Sequence, residues 1–161
     1  MKYEYLDFLF CPTCHTDLKI EKEVLKDNKI ITASLVCKNC NINFPVLNYI
    51  PRFINTQSYA DSFGAQWNAF AEVQLDDQNT LESALRFDSE IGWDEKKLSD
   101  KSIIEIGSGA GRFVDVVSRK KAKLVVGIDV TSAVDAAQNN LIDRDNVFFI
   151  QADVFNLPIK N

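Results

Sequence analysis

The stretch from Ser102 to Gly111 constrains the fold of this 161-residue chain more than any other. It reads Ser-Ile-Ile-Glu-Ile-Gly-Ser-Gly-Ala-Gly, an apolar run followed by three glycines. Ile103, Ile104 and Ile106 are typical of a strand that is buried on both faces. The glycines permit a sharp turn and a close approach of backbone to ligand, and a helix beginning near Gly111 would direct free N–H groups to the same place. We therefore predict a strand, a turn and a helix that together form a nucleotide cradle.

The spacing of these glycines narrows the choice of ligand. A dinucleotide fingerprint requires G-x-G-x-x-G, and Arg112 occupies the position of its third glycine. Glu105, Gly107, Gly109 and Gly111 instead alternate with other residues. A carboxylate at the end of the strand suits a cationic ligand better than a pyrophosphate. A tight turn that binds nothing remains the alternative for a glycine loop considered alone.

This pattern resembles the first motif of class I methyltransferases that use S-adenosylmethionine, of the type 11-like group. In that family the acidic residue lies near the ammonium group of the cofactor, and the glycine loop passes under its ribose and methionine portions. The resemblance extends from Ser102 to Pro158. It implies that the cofactor is bound by Glu105, Gly107, Ser108, Gly109, Gly111, Asp129, Val130, Asp153 and Val154.

Two further segments have the pattern of buried strands that end in an acid. Leu124 to Asp129 is followed by a helix predicted over Ala133 to Leu141, with Thr131 or Ser132 as its cap, and Val147 to Asp153 follows. Asp129 could accept both ribose hydroxyls, and the family resemblance implies that Asp153 and the N–H of Val154 meet adenine. Three acids at successive strand ends, Glu105 included, would face one crevice of a parallel sheet.

The amino-terminal part carries two C-x-x-C knuckles that predict a metal site. Cys11 and Cys14 form the first pair, and Cys37 and Cys40 follow after 22 intervening residues. Four thiolates close a tetrahedral structural zinc site, in which His15 is an alternative ligand. Disulfides or a redox pair are the competing interpretations, and both fit this sequence less well.

The segments around the cysteines have strand character and complete the outline of a zinc ribbon. Leu18 to Val24 and Lys29 to Val36 alternate as strands, with a hairpin turn at Asp27-Asn28. Positive φ is expected after each knuckle, and Asn41 tolerates it better than His15. The region from about residue 5 to 54 resembles the Trm112-like zinc ribbon, a family in which the ribbon is fused to class I methyltransferases or partners with them.

The segment between these parts has helical periodicity. An aromatic face recurs from Tyr59 onward and includes Phe63 and Trp67, and a second helix is predicted over Thr80 to Ile91. The letters Phe-Gly-Ala-Gln-Trp resemble a segment that precedes the cofactor fold in ribbon-bearing methyltransferases. A contact from Gln66 or Trp67 to the cofactor is one interpretation, and simple packing on the sheet is the other.

Composition limits the partners of the chain. The formal net charge is −5, with +1 in residues 1–60 and −6 in residues 61–161, which argues against a phosphate backbone as the main partner and gives no direct indication of nucleic acid binding. No apolar run reaches membrane-spanning length, and the amino terminus lacks the core of a signal peptide. We expect a cytoplasmic protein that does not enter a membrane.

The sequence thus predicts an α/β protein with a partial Rossmann-like class I methyltransferase fold after a small β zinc ribbon. We expect a Trm112-like ribbon over residues 1–54, a helical connecting segment over 55–100 and the amino-terminal half of a methyltransferase domain over 101–161. A complete class I sheet has seven strands, so the chain resembles a fragment, and its first strand would offer an unpaired edge that promotes self-association.

The predicted activity is methyl transfer from S-adenosylmethionine to an acceptor that the sequence does not identify, and the catalytic residues are likewise unknown. This chain alone could be inactive, because the family usually keeps its substrate-binding groups beyond the third strand. The alternative is a noncatalytic module, made of the ribbon and half a Rossmann fold, that binds a partner protein.

Overall fold

Two sheets, one antiparallel and one parallel, organise the chain. The computed structural model describes residues 1–54, 75–76 and 80–160. The predicted linker at residues 55–58, the aromatic helical face from Tyr59 and the candidate contacts of Gln66 and Trp67 lie outside these residues. Within the described part, no helix combines the length and the apolar composition that crossing a membrane requires.

The amino-terminal sheet is the predicted ribbon, with two more strands, β3 and β4, than the two that the sequence predicts. A 3-10 helix, Tyr3–Phe8, precedes four antiparallel strands in chain order: β1 (Lys19–Lys26), β2 (Lys29–Cys37), β3 (Ile42–Leu47) and β4 (Ile50–Pro51). Asp27 and Asn28 have φ of 51° and 59°, the left-handed pair that a two-residue hairpin of type I′ needs. His15 and Asn41, which follow the two knuckles, also have positive φ, at 58° and 55°.

The carboxyl-terminal sheet is parallel and has the order β5-β6-β7. Its strands are β5 (Ser102–Ile106), β6 (Leu124–Asp129) and β7 (Val147–Gln151), and its described helices are α1 (Glu82–Glu90), α2 (Glu95–Leu98), α3 (Arg112–Arg119) and α4 (Ala133–Asn140). A short 3-10 helix, Val154–Asn156, follows β7. The strands and helices predicted within the described residues of this part are confirmed, with boundaries that differ by one or two residues.

The two faces of the parallel sheet have different covers. Helices α1, α3 and α4 cover one face, where Val114, Val134, Val125 and Phe149 form a buried cluster. The ribbon covers the other face: its Leu9, Leu35 and Val46 belong to the same buried cluster as Val126, Ile128 and Ile150 of the sheet. Burial of this apolar surface holds the ribbon on the sheet.

The chain leaving the ribbon also joins the parallel sheet at its β7 edge. Arg52 forms an isolated parallel bridge with Gln151, and the Phe53 N–H donates to the Gln151 carbonyl over 2.8 Å. The ribbon and the parallel sheet are thereby joined by backbone hydrogen bonds as well as by their shared core.

Strand β5 differs from the prediction that it would be buried on both faces. Ile104 and Ile106 are 48% and 46% exposed, whereas Ile103 packs against the helix-side cluster. The reason is the position of the ribbon, whose contacts reach β6 and β7 and leave the same face of β5 partly open.

Candidate functional site

The glycine loop joins β5 to α3 in a backbone conformation that glycine adopts most readily. Gly107, Gly109 and Gly111 have φ of 77°, 50° and 90°. The N–H groups of Gly107 and Ser108 both donate to the Ile128 carbonyl, over 2.7 and 3.0 Å. These bonds fix the loop at the carboxyl end of β6.

The three glycines of the loop have different surroundings. A Cβ added at Gly107 or Gly109 would meet no atom of the described residues within 4 Å, so these residues leave open space above both glycines. A Cβ at Gly111 would lie 3.3 Å from Ala137 Cβ and from Leu141 Cδ1. Gly111 therefore allows α3 to pack against α4, and the other two glycines border the crevice.

The Asp129 carboxylate closes the far side of this loop. Its Oδ2 accepts from the Gly109 N–H over 2.9 Å, and its Oδ1 accepts from the Thr131 N–H and hydroxyl, each over 2.8 Å. The Thr131 hydroxyl in turn accepts from the Ala133 N–H, at the start of α4, over 3.2 Å. Asp129 thus holds the glycine loop in position at the end of β6.

Glu105 is the acid at the end of β5, and one of its oxygens has no hydrogen-bond partner among the described residues. Glu105 Oε2 is buried without a hydrogen bond in the described structure, and the same holds for Ser108 Oγ. Burial raises the pKa of Glu105 to about 7, and the negative charge of Asp129 adds to the shift. A buried carboxylate with a free oxygen is suited to a cationic or hydrogen-bond-donating ligand.

The third acid lies at the end of β7 and has a local role as well. Asp153 Oδ1 accepts from the Phe155 N–H over 2.9 Å and caps the 3-10 helix there. The Ala152 N–H donates to the Asp129 carbonyl over 3.0 Å, which brings the ends of β6 and β7 together. The adjacent Val130 and Val154 are 40% and 50% exposed, so both remain accessible at this edge.

Arg112, which stands at the position of a third glycine, has a structural partner. Its Nε donates to Ser83 Oγ over 2.9 Å, and its guanidinium lies 5.2 Å from the centroid of the Phe113 ring. The side chain links α1 to the start of α3. This arrangement differs from the close glycine contact of a dinucleotide fold.

These residues fit S-adenosylmethionine. The open space above Gly107 and Gly109 would receive the ribose and methionine portions, and the unpartnered Glu105 oxygen would meet the positive end. The nine residues that the sequence assigned to the cofactor stay a prediction; the structure places their loop, their strand ends and the open space at the same edge of the sheet.

The four cysteines converge as the sequence predicted. The four sulfur atoms all lie within 4.8 Å of one another and form one cluster that could hold a metal ion; they belong to Cys11, Cys14, Cys37 and Cys40. The Cys40 N–H donates to Cys37 Sγ over 3.3 Å. One shared site, rather than two separate pairs, fits a tetrathiolate zinc centre. His15 lies outside this cluster, with its ring 4.7 Å from that of Phe10.

Sequence reasoning missed three residues near these sites. The Thr16 hydroxyl lies 3.1 Å from Cys14 Sγ and 3.4 Å from Cys37 Sγ. Arg52 contacts Asp135 and Gln151, and Gln151 donates to the Val130 carbonyl. Gln151 stands at the end of an otherwise apolar strand, and this is the one sequence signal that could have indicated its contact with Arg52.

Comparison with protein families agrees with both halves of this geometry. Residues 85–161 match the model of the FtsJ-like methyltransferases, and residues 2–48 match that of the Trm112p-like proteins. The chain has a methyltransferase fold preceded by a Trm112-like ribbon. The expected fold class and family resemblance are thereby confirmed, although no curated protein sequence matches the chain.

Solved structures provide further resemblances for this methyltransferase fold. A candidate S-adenosyl-L-methionine-dependent methyltransferase from Methanococcus maripaludis has 18% identity and a TM-score of 0.48, with 67% of this chain and 49% of that one covered. Phosphoethanolamine N-methyltransferase 1 from Haemonchus contortus has 23% identity and a TM-score of 0.43, with 65% and 23% covered. The chain therefore corresponds to about half or less of the length of these two structures.

Proposed function

We propose that the crevice above the glycine loop binds S-adenosylmethionine and that the chain supplies the cofactor-binding part of a methyltransferase. Two observations on one strand-to-helix turn carry this proposal. The described residues leave open space above Gly107 and Gly109, and they offer no hydrogen bond to the buried Oε2 of Glu105. S-adenosylmethionine carries a positive charge, so a site with room and negative charge suits it. A diphosphate is negatively charged, so the same site disfavours it.

Each part of the crevice has a role in this proposal. Glu105 and the loop residues Gly107, Ser108 and Gly109 would hold the methionine and ribose portions. Asp129 and Val130 would hold the ribose side, and Asp153 with the Val154 N–H would hold adenine. When bound, the cofactor supplies an electrophilic methyl group, and the protein's task is to orient it and exclude water.

The remaining assignments extend the same proposal. A zinc ion in the four-cysteine cluster would be structural, because four thiolates leave no open coordination position.

We assign the ribbon to residues 1–54, a connecting segment to 55–100 and the cofactor-binding half to 101–161. The acceptor is unidentified, because none of the described residues at the crevice defines a second substrate.

A thermal-shift experiment tests cofactor binding. We expect S-adenosylhomocysteine to raise the unfolding temperature of the metal-loaded protein and NAD to leave it unchanged. Gly109→Val should abolish the shift, because its side chain would fill the open space. Gly92→Val is the matched control: Gly92 also has positive φ, at 62°, but it follows α1. A shift that survives in Gly109→Val would contradict this location of the site.

A noncatalytic module that binds a partner protein is the second candidate. The half-exposed Ile104 and Ile106 favour it, because they form an apolar surface at the β5 side of the sheet. A folded, metal-loaded protein that binds neither S-adenosylmethionine nor its demethylated product would favour this candidate over methyl transfer.

A further inference from the structure

The exit strand of the ribbon contributes a buried cation to the edge of the cofactor crevice. The side chain of Arg52 is only 15% exposed. Its Nη2 lies 2.6 Å from Asp135 Oδ1 and its Nη1 lies 3.2 Å from Asp135 Oδ2, a two-pronged ion pair with the first turn of α4. Such bidentate geometry fixes the direction of the guanidinium plane.

The same guanidinium reaches a second group that continues toward the cofactor site. Arg52 Nη1 donates to Gln151 Oε1 over 2.7 Å, and Gln151 Nε2 donates to the Val130 carbonyl over 3.1 Å. Gln151 is 6% exposed, so neither bond competes freely with water. The amide of Gln151 is therefore held in one orientation, with its oxygen toward Arg52 and its nitrogen toward Val130.

Val130 is the residue between two groups that form the ribose side of the crevice. Asp129 precedes it and binds the Gly109 N–H, and Thr131 follows it and binds Asp129. A change in the position of the Val130 peptide would move both neighbours. Two hydrogen bonds in series, from Arg52 to Gln151 and from Gln151 to the Val130 carbonyl, connect the ribbon's exit strand to this peptide.

We propose that Arg52 is a positioning residue through which the ribbon holds the adenosine side of the crevice in its binding conformation. This inference rests on the proposed function, because it concerns affinity for the adenosyl part of the cofactor. Arg52 acts through Gln151 and Val130 and does not itself touch the cofactor. The ribbon is thereby a part of the cofactor site and not only a cover for the sheet.

Three variants and a control separate positioning from stability. Arg52→Ala removes the whole contact and could loosen the ribbon. Gln151→Glu is sharper: its carboxylate can still accept from Arg52, but it has no N–H for the Val130 carbonyl and repels that oxygen. Arg52→Lys retains the charge without the two-pronged geometry. Arg86→Ala, which removes a pair with Glu90 between side chains that are 55% and 57% exposed, is the control.

Calorimetric titration of the metal-loaded full chain with S-adenosylhomocysteine and with adenosine measures the effect. We expect roughly tenfold weaker binding of both ligands by Arg52→Ala and Gln151→Glu, a smaller loss for Arg52→Lys and no change for Arg86→Ala. Gln151→Glu should lower the unfolding temperature, because the Val130 carbonyl loses its donor, but the protein should stay folded at the temperature of the titration, so its affinity is measured on native protein. Equal loss for adenosine, which lacks the methionine portion, locates the effect at the adenosine side.

The possible outcomes distinguish this inference from the proposed function. If the unsubstituted protein binds S-adenosylhomocysteine and Gln151→Glu binds both ligands equally well, the positioning role is wrong and the cofactor assignment stands. If the unsubstituted protein binds neither ligand, both proposals fail. If Arg52→Ala does not fold, Gln151→Glu and Arg52→Lys decide the question.

Discussion

The Gly109 N–H donates to Asp129 Oδ2 over 2.9 Å, so the acid at the end of β6 holds the glycine loop of β5 in place. One carboxylate therefore has two functions: it orders the loop in the absence of ligand, and in our proposal it also faces the ribose. Substitutions at this position should affect stability and binding together.

Asp129→Ala should destabilise the protein by about 1–3 kcal/mol, because it leaves the Gly109 and Thr131 N–H groups without their acceptor. Urea unfolding measures this loss. Asp129→Asn, which keeps an acceptor oxygen, should lose less stability, and Asp143→Ala at an exposed position should lose almost none. Equal stability of Asp129→Ala and the unsubstituted protein would show that these bonds do not order the loop.

Gly127→Ala should also be destabilising, for a steric reason. A Cβ at this position would lie 2.6 Å from Phe149 Cε1 and 2.7 Å from its Cδ1. Overpacking of this kind costs about 1–3 kcal/mol. The double variant Gly127→Ala with Phe149→Leu should recover part of the loss, because the smaller side chain vacates the contact. The explanation would be contradicted if the double variant lost more free energy of unfolding than the two single variants lose together.

Ligand binding should depend on pH through Glu105. Its pKa is raised to about 7 by burial and by Asp129, so the carboxyl is protonated below that pH and ionised above it. A cationic ligand favours the ionised form, so affinity for S-adenosylmethionine should increase as the pH rises from 6 to 8 and then level off. Titration calorimetry across this range checks the dependence.

The variant Glu105→Gln isolates this effect. It should bind S-adenosylmethionine weakly at every pH and lose the rise near pH 7, because the amide does not ionise. The raised pKa also means that the folded state of the free protein is favoured by protonation of Glu105 below about pH 4.5 and loses that contribution as the pH passes 7. A pH profile that is unchanged in Glu105→Gln would assign the titration to another group.

Removal of the metal should expose the ribbon-covered face of the sheet. The ribbon residues Leu9, Cys11, Leu35 and Cys37 share one buried cluster with Val126 and Phe148, so loss of ribbon structure would uncover the strands. We expect a chelator to lower the unfolding temperature and to promote binding of a hydrophobic dye. Cys37→Ser should reproduce both effects. His15→Ala should show neither effect and should still bind one zinc ion per chain.

The exposed isoleucines of β5 should promote self-association. Ile104 and Ile106 project on the face that the ribbon leaves partly open, and they are about half exposed. Sedimentation of the metal-loaded protein should show concentration-dependent association, which Ile104→Lys with Ile106→Lys should reduce. A monomer at high concentration would show that this surface does not associate.

The sequence predicted the parts of this fold that depend on local pattern. The turn at Asp27-Asn28, the positive φ of Asn41 and the extent of β6 all follow from residue type and periodicity. The four cysteines were assigned to one cluster from spacing alone, since two knuckles can place their sulfurs on one side.

Contacts between distant segments could not be predicted in the same way. The docking of Leu9 and Val46 on Val126 depends on three-dimensional fit, and no periodic pattern indicates which apolar face meets which. For the same reason the exposure of Ile104 was not foreseen, because an isoleucine run is compatible with burial on one face or on two. The relay from Arg52 to Gln151 joins residues 99 positions apart and leaves no local signature.

The proposed cofactor site is tested by calorimetric titration of the metal-loaded protein with S-adenosylhomocysteine at pH 8, where Glu105 is ionised. We expect saturable binding of one molecule per chain, weakened by Glu105→Gln, with no heat of binding from NAD. Binding of NAD, or no uptake of S-adenosylhomocysteine by a folded protein that holds its metal, would contradict it.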